Sequence, residues 1–279
     1  MQLTPQQWVD NFRSIGRRLL NSVPKIAGTP DASVKLRRGA GGDQTFFIDE
    51  LAEKIVIEAL EDISRQGIDF TLISEECGIK RFGTESNTTI LLDPLDGSNN
   101  AKRGVPYFAT SIAVLDGNML DDIIAGYVLD LPNGREYWAI KGEGAWCNNE
   151  KIICQNQNND ELGMVAFEAS VPSKDIARML TLLTSSRKVR CMGAVALDLA
   201  LMAAGAVDVL AIATPSRSFD YAAGMLILKE AGGIITDLTG GELKGISAGI
   251  ERTVPLLAAS NKILHQKAVE LLNNYHPQT

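Results

Sequence analysis

The chain has 279 residues, is 45% apolar and 22% charged, and carries a formal charge of −7 with an isoelectric point near 5.0. That length can bury one large core or two packed ones, and the acidic balance argues against the basic face that nucleic-acid binding needs. Cys77, Cys147, Cys154 and Cys191 form no CxxC pair and no apolar run is long enough to span a membrane, so reduced thiols in a cytoplasmic protein are expected.

The opening stretch "MQLTPQQWVDNF" lacks the basic-then-apolar pattern of a secretory leader. Thr4 and Pro5 signal a helix start, and Trp8, Phe12, Ile15 and Leu19 recur at helical spacing, predicting an amphipathic helix over 5–22. "GTPDASVKLRRGAGGD", rich in glycine and basic residues, reads as a mobile loop. A second helix should start near Ile48 and end before Gly67, and "IDFTLIS" reads as a strand leading into Glu75-Glu76. "TTILL" predicts another strand, ending at Asp93. "YFATSIAVL", "IIAGYVLDL" and "EYWAIKG" follow, separated by Asp116-Gly117 and Pro132-Asn133-Gly134, which predicts an antiparallel meander.

Beyond about residue 155 strands and helices alternate, from "GMVAFEA" and "SKDIARMLTLLTSS" through "VDVLAIA" and "DYAAGMLILKEAGG" to "PLLAAS" and "NKILHQKAVELLNNY". Such alternation implies an α/β layer. "QNQNND", residues 155–160, marks an expected boundary between an α+β subdomain, 1–155, and an α/β subdomain, 156–279.

The chemistry concentrates in "ILLDPLDGSNN", residues 90–100, where Asp93 and Asp96 close an apolar run. Two like charges buried together are costly unless a cation sits between them. Pro94 disfavours helix and should turn Leu95 and Asp96 around a tight corner. Gly97 and Ser98 then open a turn or short helix whose N–H groups suit a phosphate. Carboxylates for a hard divalent cation beside donors for a phosphate are what metal-assisted phosphate ester hydrolysis requires. A plain turn with capping aspartates is the competing reading, and three further acidic element ends weigh against it. They are Glu75-Glu76, Asp220 at the start of an apolar helix, and Asp43 with Asp49 around the start of the second helix. His265 and His276 lie near the C-terminus, against a histidine-rich zinc site, and His265 is expected to be exposed.

Asp93-Pro94-Leu95-Asp96-Gly97-Ser98-x-Asn100, the upstream Glu75-Glu76 and the downstream Phe219-Asp220-x-Ala222-Ala223-Gly224 resemble the inositol monophosphatase family of Mg²⁺-dependent phosphatases, over most of the chain and in the family's order. The resemblance implies a layered αβαβα fold of two closely packed subdomains, a site between them, and a homodimer. It further implies that Glu75, Asp93 and the Leu95 carbonyl hold one cation, and that Asp93, Asp96 and Asp220 hold a second. Glu75 would also face a third, and Mg²⁺ or Mn²⁺ is the expected species. Asp49, Glu75 and Ser98 would prepare the attacking water. Gly97 and Ser98 would bind the phosphate, Gly193 and Ala194 would approach the substrate ring, and Glu76 and Asp43 would support the site from behind.

Ala213 stands where inositol-specific members carry an acid for sugar hydroxyls. Arg187, Lys188, Arg190, Arg217, Lys102 and Arg103 lie near the expected pocket, and of these Arg190 and Arg217 are the expected contacts to a second phosphate. That combination is similar to the dual inositol-1-phosphate and fructose-1,6-bisphosphate phosphatases of the family. A 3′-phosphoadenosine 5′-phosphate phosphatase is the alternative within the class. A regulatory protein that keeps the fold and docks a partner is the alternative outside it.

Overall fold

The structure is a computed structural model that describes residues 2–154, 160–169 and 176–274. In chain order come α1 (Pro5–Leu20), α2 (Val23–Ile26), β1 (Lys35–Arg38), β2 (Gln44–Phe46), α3 (Phe47–Ser64), β3 (Phe70–Ser74), β4 (Gly78–Phe82) and β5 (Thr88–Asp96). Next are α4 (Ser98–Arg103), β6 (Ala109–Asp116), β7 (Ile123–Asp130), β8 (Arg135–Ile140), β9 (Gly144–Cys147) and β10 (Glu150–Ile152). The last third holds β11 (Met164–Glu168), α5 (Ile176–Thr184), β12 (Lys188–Arg190), α6 (Val195–Ala203), β13 (Val209–Ile212), α7 (Ser218–Glu230), β14 (Ile234–Asp237), β15 (Leu256–Ala259) and α8 (Lys262–Asn273).

These elements stack in five layers. An eight-stranded sheet, ordered β10-β9-β8-β7-β6-β5-β3-β4, is antiparallel except where β3 runs parallel to β5. A five-stranded sheet, β12-β11-β13-β15-β14, is parallel around β11 and antiparallel around β15. Helices α1 and α3 cover the outer face of the large sheet, α6 and α7 fill the space between the sheets, and α8, with α5 packed on it, covers the small sheet. The expected αβαβα layering is the observed one.

Each layer follows from local chemistry. The Thr4 hydroxyl accepts from the Gln7 N–H while Gln7 reaches back to the Thr4 N–H, so α1 begins with both ends of a capping box closed. Its Trp8, Phe12, Ile15 and Leu19 are buried on the large sheet, and each such side chain contributes about 1.5–3 kcal/mol of burial. Helix α7 is buried on nearly every side and carries little polar face. Small residues let it sit that deep: Gly126 of β7 faces its backbone, and a Cβ there would lie 3.0 Å from the Ala223 Cα and O. One apolar cluster therefore joins residues of both sheets through α6 and α7.

Two expectations are corrected. The stretch around 35–46 is not a structureless loop: β1 and β2 form an antiparallel hairpin whose tip is Gly39–Asp43. All four residues of β1 are exposed, so the strand has no apolar alternation to betray it. His265 is half-buried, not exposed, and its Nε2 lies 2.8 Å from the Thr236 hydroxyl. Strands β4, β9, β10 and β14 join the predicted set. Most of the 155–160 boundary stretch, the start of the predicted helix at 173–175, and His276 lie outside the described residues. Among the described residues no helix is long and apolar enough to cross a membrane.

Candidate active site

Asp93 and Asp96 are three residues apart on β5, a spacing that puts side chains on opposite faces of a regular strand. The pairing to β6 undoes this. Asp93 stands opposite Ser111 and Asp96 opposite Ala109, so three steps on β5 match two on β6. The extra residue is a bulge, and Pro94, which has no N–H for the ladder, sits within it while its carbonyl accepts the Thr110 hydroxyl at 2.9 Å. The tight corner expected at Pro94 is thus a bulge inside a strand that continues to Asp96.

Both carboxylates are buried and held by backbone donors. The Asp93 Oδ1 accepts the Leu95 N–H at 3.0 Å. Asp96 crosses to the middle layer, where its oxygens accept the N–H groups of Val195 at 3.1 Å, Ala196 at 2.7 Å and Leu197 at 3.4 Å. Those are the unpaired donors of the first turn of α6, a favourable place for an anion. Asp220, in the first turn of α7, accepts the Arg217 N–H at 2.7 Å. Glu75 follows β3, which runs parallel beside β5, so its backbone reaches the same corner.

Electrostatics show that these groups share one space. Burial pushes the Glu75 carboxyl up to about 8, helped by Asp220 and Glu76, with Arg217 pulling the other way. Asp93 is held well above the carboxylate range by burial and then by Glu75, Asp96 and Asp220; Asp96 likewise, by burial and then Asp220. Burial raises Asp220 to about 6 against the lowering effect of its bond to the Arg217 N–H. Asp49, in the first turn of α3, rises to about 6 by burial and is eased by the Phe46 N–H, Lys102 and Ser98. The Ser98 hydroxyl is thus close to Asp49, yet the Asp49 Oδ1 is buried with no hydrogen-bond partner. Glu76, also lifted to about 6 chiefly by burial, accepts the Thr45 hydroxyl from the hairpin.

The corner around Gly97 is built from small residues. Gly97 adopts a left-handed φ of 82°, and a Cβ there would lie 3.0 Å from the Tyr107 O and 3.1 Å from both the Ala194 Cβ and the Gly193 O. Gly97, Gly193 and Ala194 therefore meet. Asn100 locks the junction by donating to the Tyr107 O at 2.8 Å and the Met192 O at 2.7 Å.

The basic residues divide. Arg190 is exposed and donates to the Val189 O, and Arg187 pairs with Glu161. Arg217 is buried, its guanidinium 2.8 Å from Asp43 and 3.6 Å from Glu75. Lys102 lies 3.4 Å from the Phe46 ring centre and close enough to Asp49 to ease its carboxyl. Sequence reasoning missed the buried Asp198, which accepts the Tyr107 hydroxyl behind this corner. An acid on the face of a helix that is otherwise apolar was the available signal.

Among the described residues no three acidic, histidine or cysteine side chains are closed around one point as a finished coordination shell. Asp96 faces α6, Asp220 its own helix start, and Glu75 the Arg217 guanidinium. The donors nevertheless fit a hard divalent cation: they are oxygens only, Glu75, Asp96 and Asp220 all repel the buried Asp93, and the nearby buried Asp49 Oδ1 stands without a hydrogen-bond partner.

The sequence profile of the inositol monophosphatase family matches residues 30–276. The chain belongs to that family. It is similar to a fructose-1,6-bisphosphatase/inositol-1-monophosphatase of Methanothermobacter thermautotrophicus, 34% identical over 90% of this chain and 91% of the relative. It also resembles a bifunctional NADP phosphatase/NAD kinase of Methanococcus maripaludis, 29% identical over 94% of this chain and 48% of that protein. Among solved structures, an inositol monophosphatase–fructose 1,6-bisphosphatase superposes with a TM-score of 0.83 at 27% identity, covering 95% of this chain and 99% of the other.

Proposed function

We propose that this inositol monophosphatase family member is a Mg²⁺-dependent phosphomonoesterase acting on a sugar or polyol phosphate, with inositol-1-phosphate and fructose-1,6-bisphosphate as its substrates. The observation that carries the reading is the convergence of Glu75, Asp96 and Asp220 on the buried Asp93, whose proton affinity all three raise. Such a cluster is stable when protonated or when it holds positive charge, and an oxygen donor set selects the hard divalent ions. A bound divalent cation would make water a stronger nucleophile toward phosphorus and would offset the charge that develops on the departing alkoxide oxygen.

The chain's own residues do the rest. Glu75, Asp93, the Leu95 carbonyl, Asp96 and Asp220 are the groups that would hold the cations. The paired Asp49 and Ser98 orient the attacking water, and the unpartnered Asp49 Oδ1 is the atom that takes its proton. The Gly97–Ser98 turn receives the phosphate, and the Gly193–Ala194 loop packs against that turn to seat the organic part. Lys102, drawn toward Asp49, is better placed than Arg190 or Arg217 to meet an added negative charge.

The test is phosphate release from inositol-1-phosphate, fructose-1,6-bisphosphate, 3′-phosphoadenosine 5′-phosphate and NADP, with Mg²⁺ and with chelator. Release from the first two should need Mg²⁺ and fall at least about a hundred-fold in Asp93→Asn, the loss of a few kcal/mol of transition-state stabilisation. Equal rates in the variant and the natural protein would remove the proposed chemistry. Preference for the nucleotides would move the substrate class.

A further inference from the structure

Arg217 occupies an unusual position for a guanidinium. It is the residue that precedes α7, its N–H is held by Asp220, and its side chain is 8% exposed. Its Nη2 donates to the Gly41 carbonyl and, at 2.8 Å, to Asp43, both in the tip of the β1–β2 hairpin. Its Nη1 lies 3.6 Å from the Glu75 Oε1. The hairpin tip is tied to the same corner through its backbone: Gly41 N–H donates to the Glu75 O at 2.9 Å and Ala40 N–H to the Glu76 O at 3.0 Å. One buried cation thus joins the hairpin, the end of β3 and the start of α7.

We infer that Arg217 is the site's resident positive charge, standing against Glu75 until a divalent cation takes that side chain and holding the hairpin tip in both states. This rests on the reading that Glu75 is a cation ligand. Guanidinium and divalent ion compete for one carboxylate, because two positive charges within a few ångströms of each other repel in a largely dry corner. Asp43 and the Gly41 carbonyl are the other acceptors of the same guanidinium. When Glu75 turns to a cation, Arg217 keeps these two partners and remains paired, so exchange does not strand a buried charge. Arg217 is therefore a positioning residue: it lowers the affinity for the cation and, through the hairpin, fixes where the tip rests.

The test measures Mg²⁺ binding by calorimetry without substrate, the Mg²⁺-induced rise in melting temperature, and trypsin cleavage at Arg37–Arg38, for the natural protein, Arg217→Met, Arg217→Lys and Asp43→Asn. In Arg217→Met, Mg²⁺ should bind about ten-fold more tightly, a change of about 1.4 kcal/mol. Its metal-free melting temperature should fall, and its Mg²⁺-induced rise should exceed that of the natural protein. Arg217→Lys keeps the charge but not the planar fork, so Mg²⁺ affinity should stay within two-fold while cleavage of the hairpin quickens. Asp43→Asn should quicken cleavage with no tightening of Mg²⁺. Unchanged Mg²⁺ affinity in Arg217→Met, or equal tightening in Arg217→Lys, would overturn the inference. If Arg217→Met does not fold, the Lys and Asn variants decide, since tightening in either contradicts a charge-based competition. No Mg²⁺ binding by the natural protein would instead defeat the underlying reading of Glu75.

Discussion

Replacing Glu75 by glutamine in the metal-free protein isolates the cost of gathering acids in one buried corner. The folded protein holds the Glu75 proton up to about pH 8, whereas the unfolded chain releases it near 4.5. Below pH 4.5 both states are protonated and the glutamate behaves much like a glutamine. As pH rises from 4.5 towards 8 the unfolded state gains by ionising and the folded state does not, so stability drains away through that window. At pH 8 the loss relative to pH 5 is about 3 kcal/mol for this one group. The glutamine variant cannot lose it, and it also relieves Asp93, for which Glu75 is the largest charged influence, in the same direction. Urea unfolding in chelator should therefore show Glu75→Gln gaining about 3 kcal/mol on the natural protein between pH 5 and pH 8. With saturating Mg²⁺ the order should reverse, because ligand binding stabilises only the chain that binds it. A difference between the two proteins that is the same at pH 5 and pH 8 in chelator would refute the reasoning.

Tyr107→Phe removes the hydroxyl that donates to Asp198, whose other oxygen already lacks a partner in a fully buried setting. The variant should lose about 1–3 kcal/mol in urea unfolding at pH 7, and an unshifted midpoint would contradict the role given to that bond. Gly224→Ala puts a Cβ 2.8 Å from the Leu199 Cβ and 3.2 Å from the Ala196 O, so α6 must move away from α7. It should cost up to about 2 kcal/mol, the overpacking penalty less the helix-propensity gain, and lower Mg²⁺-dependent phosphate release through the displaced start of α6.

The acids were legible in the sequence because each breaks an apolar pattern at an element end, where burial and charge are in open conflict. The layering was legible from similar punctuation: the helical period gives way to a strand at Gly67, and Gly117 and Gly134 separate the strands of the meander. What joined them was not. The bulge between Asp93 and Asp96 is a property of register against β6, which only the partner strand defines. The hairpin escaped because "KLRR" buries nothing and is held by backbone bonds alone. Arg217 read as a substrate contact because a sequence shows a charge without its partner, and here the partners lie 174 residues away in Asp43 and on the neighbouring strand end at Glu75. Lys102 was visible only as one of a basic pair, while its approach to Asp49 needed α4 to turn back over Phe46.

Two kinds of restraint keep this corner in place, and they answer to different conditions. Asp96 is bonded to three consecutive N–H groups of α6, and Asp220 to the backbone just before α7. Those bonds tie the large sheet to the middle layer and strengthen when the carboxylates are ionised. The mutual repulsion of Glu75, Asp93 and Asp96 acts the other way, favouring a proton at the expense of charge. Arg217 relieves Glu75 but stands on the hairpin side, and it is not among the leading influences on Asp93 or Asp96. A guanidinium at that edge cannot neutralise the centre. The bonds to α6 and α7 fix where the carboxylates sit, and a divalent cation held at the Asp93–Asp96 bulge, as proposed, would offset the charge they leave unbalanced there.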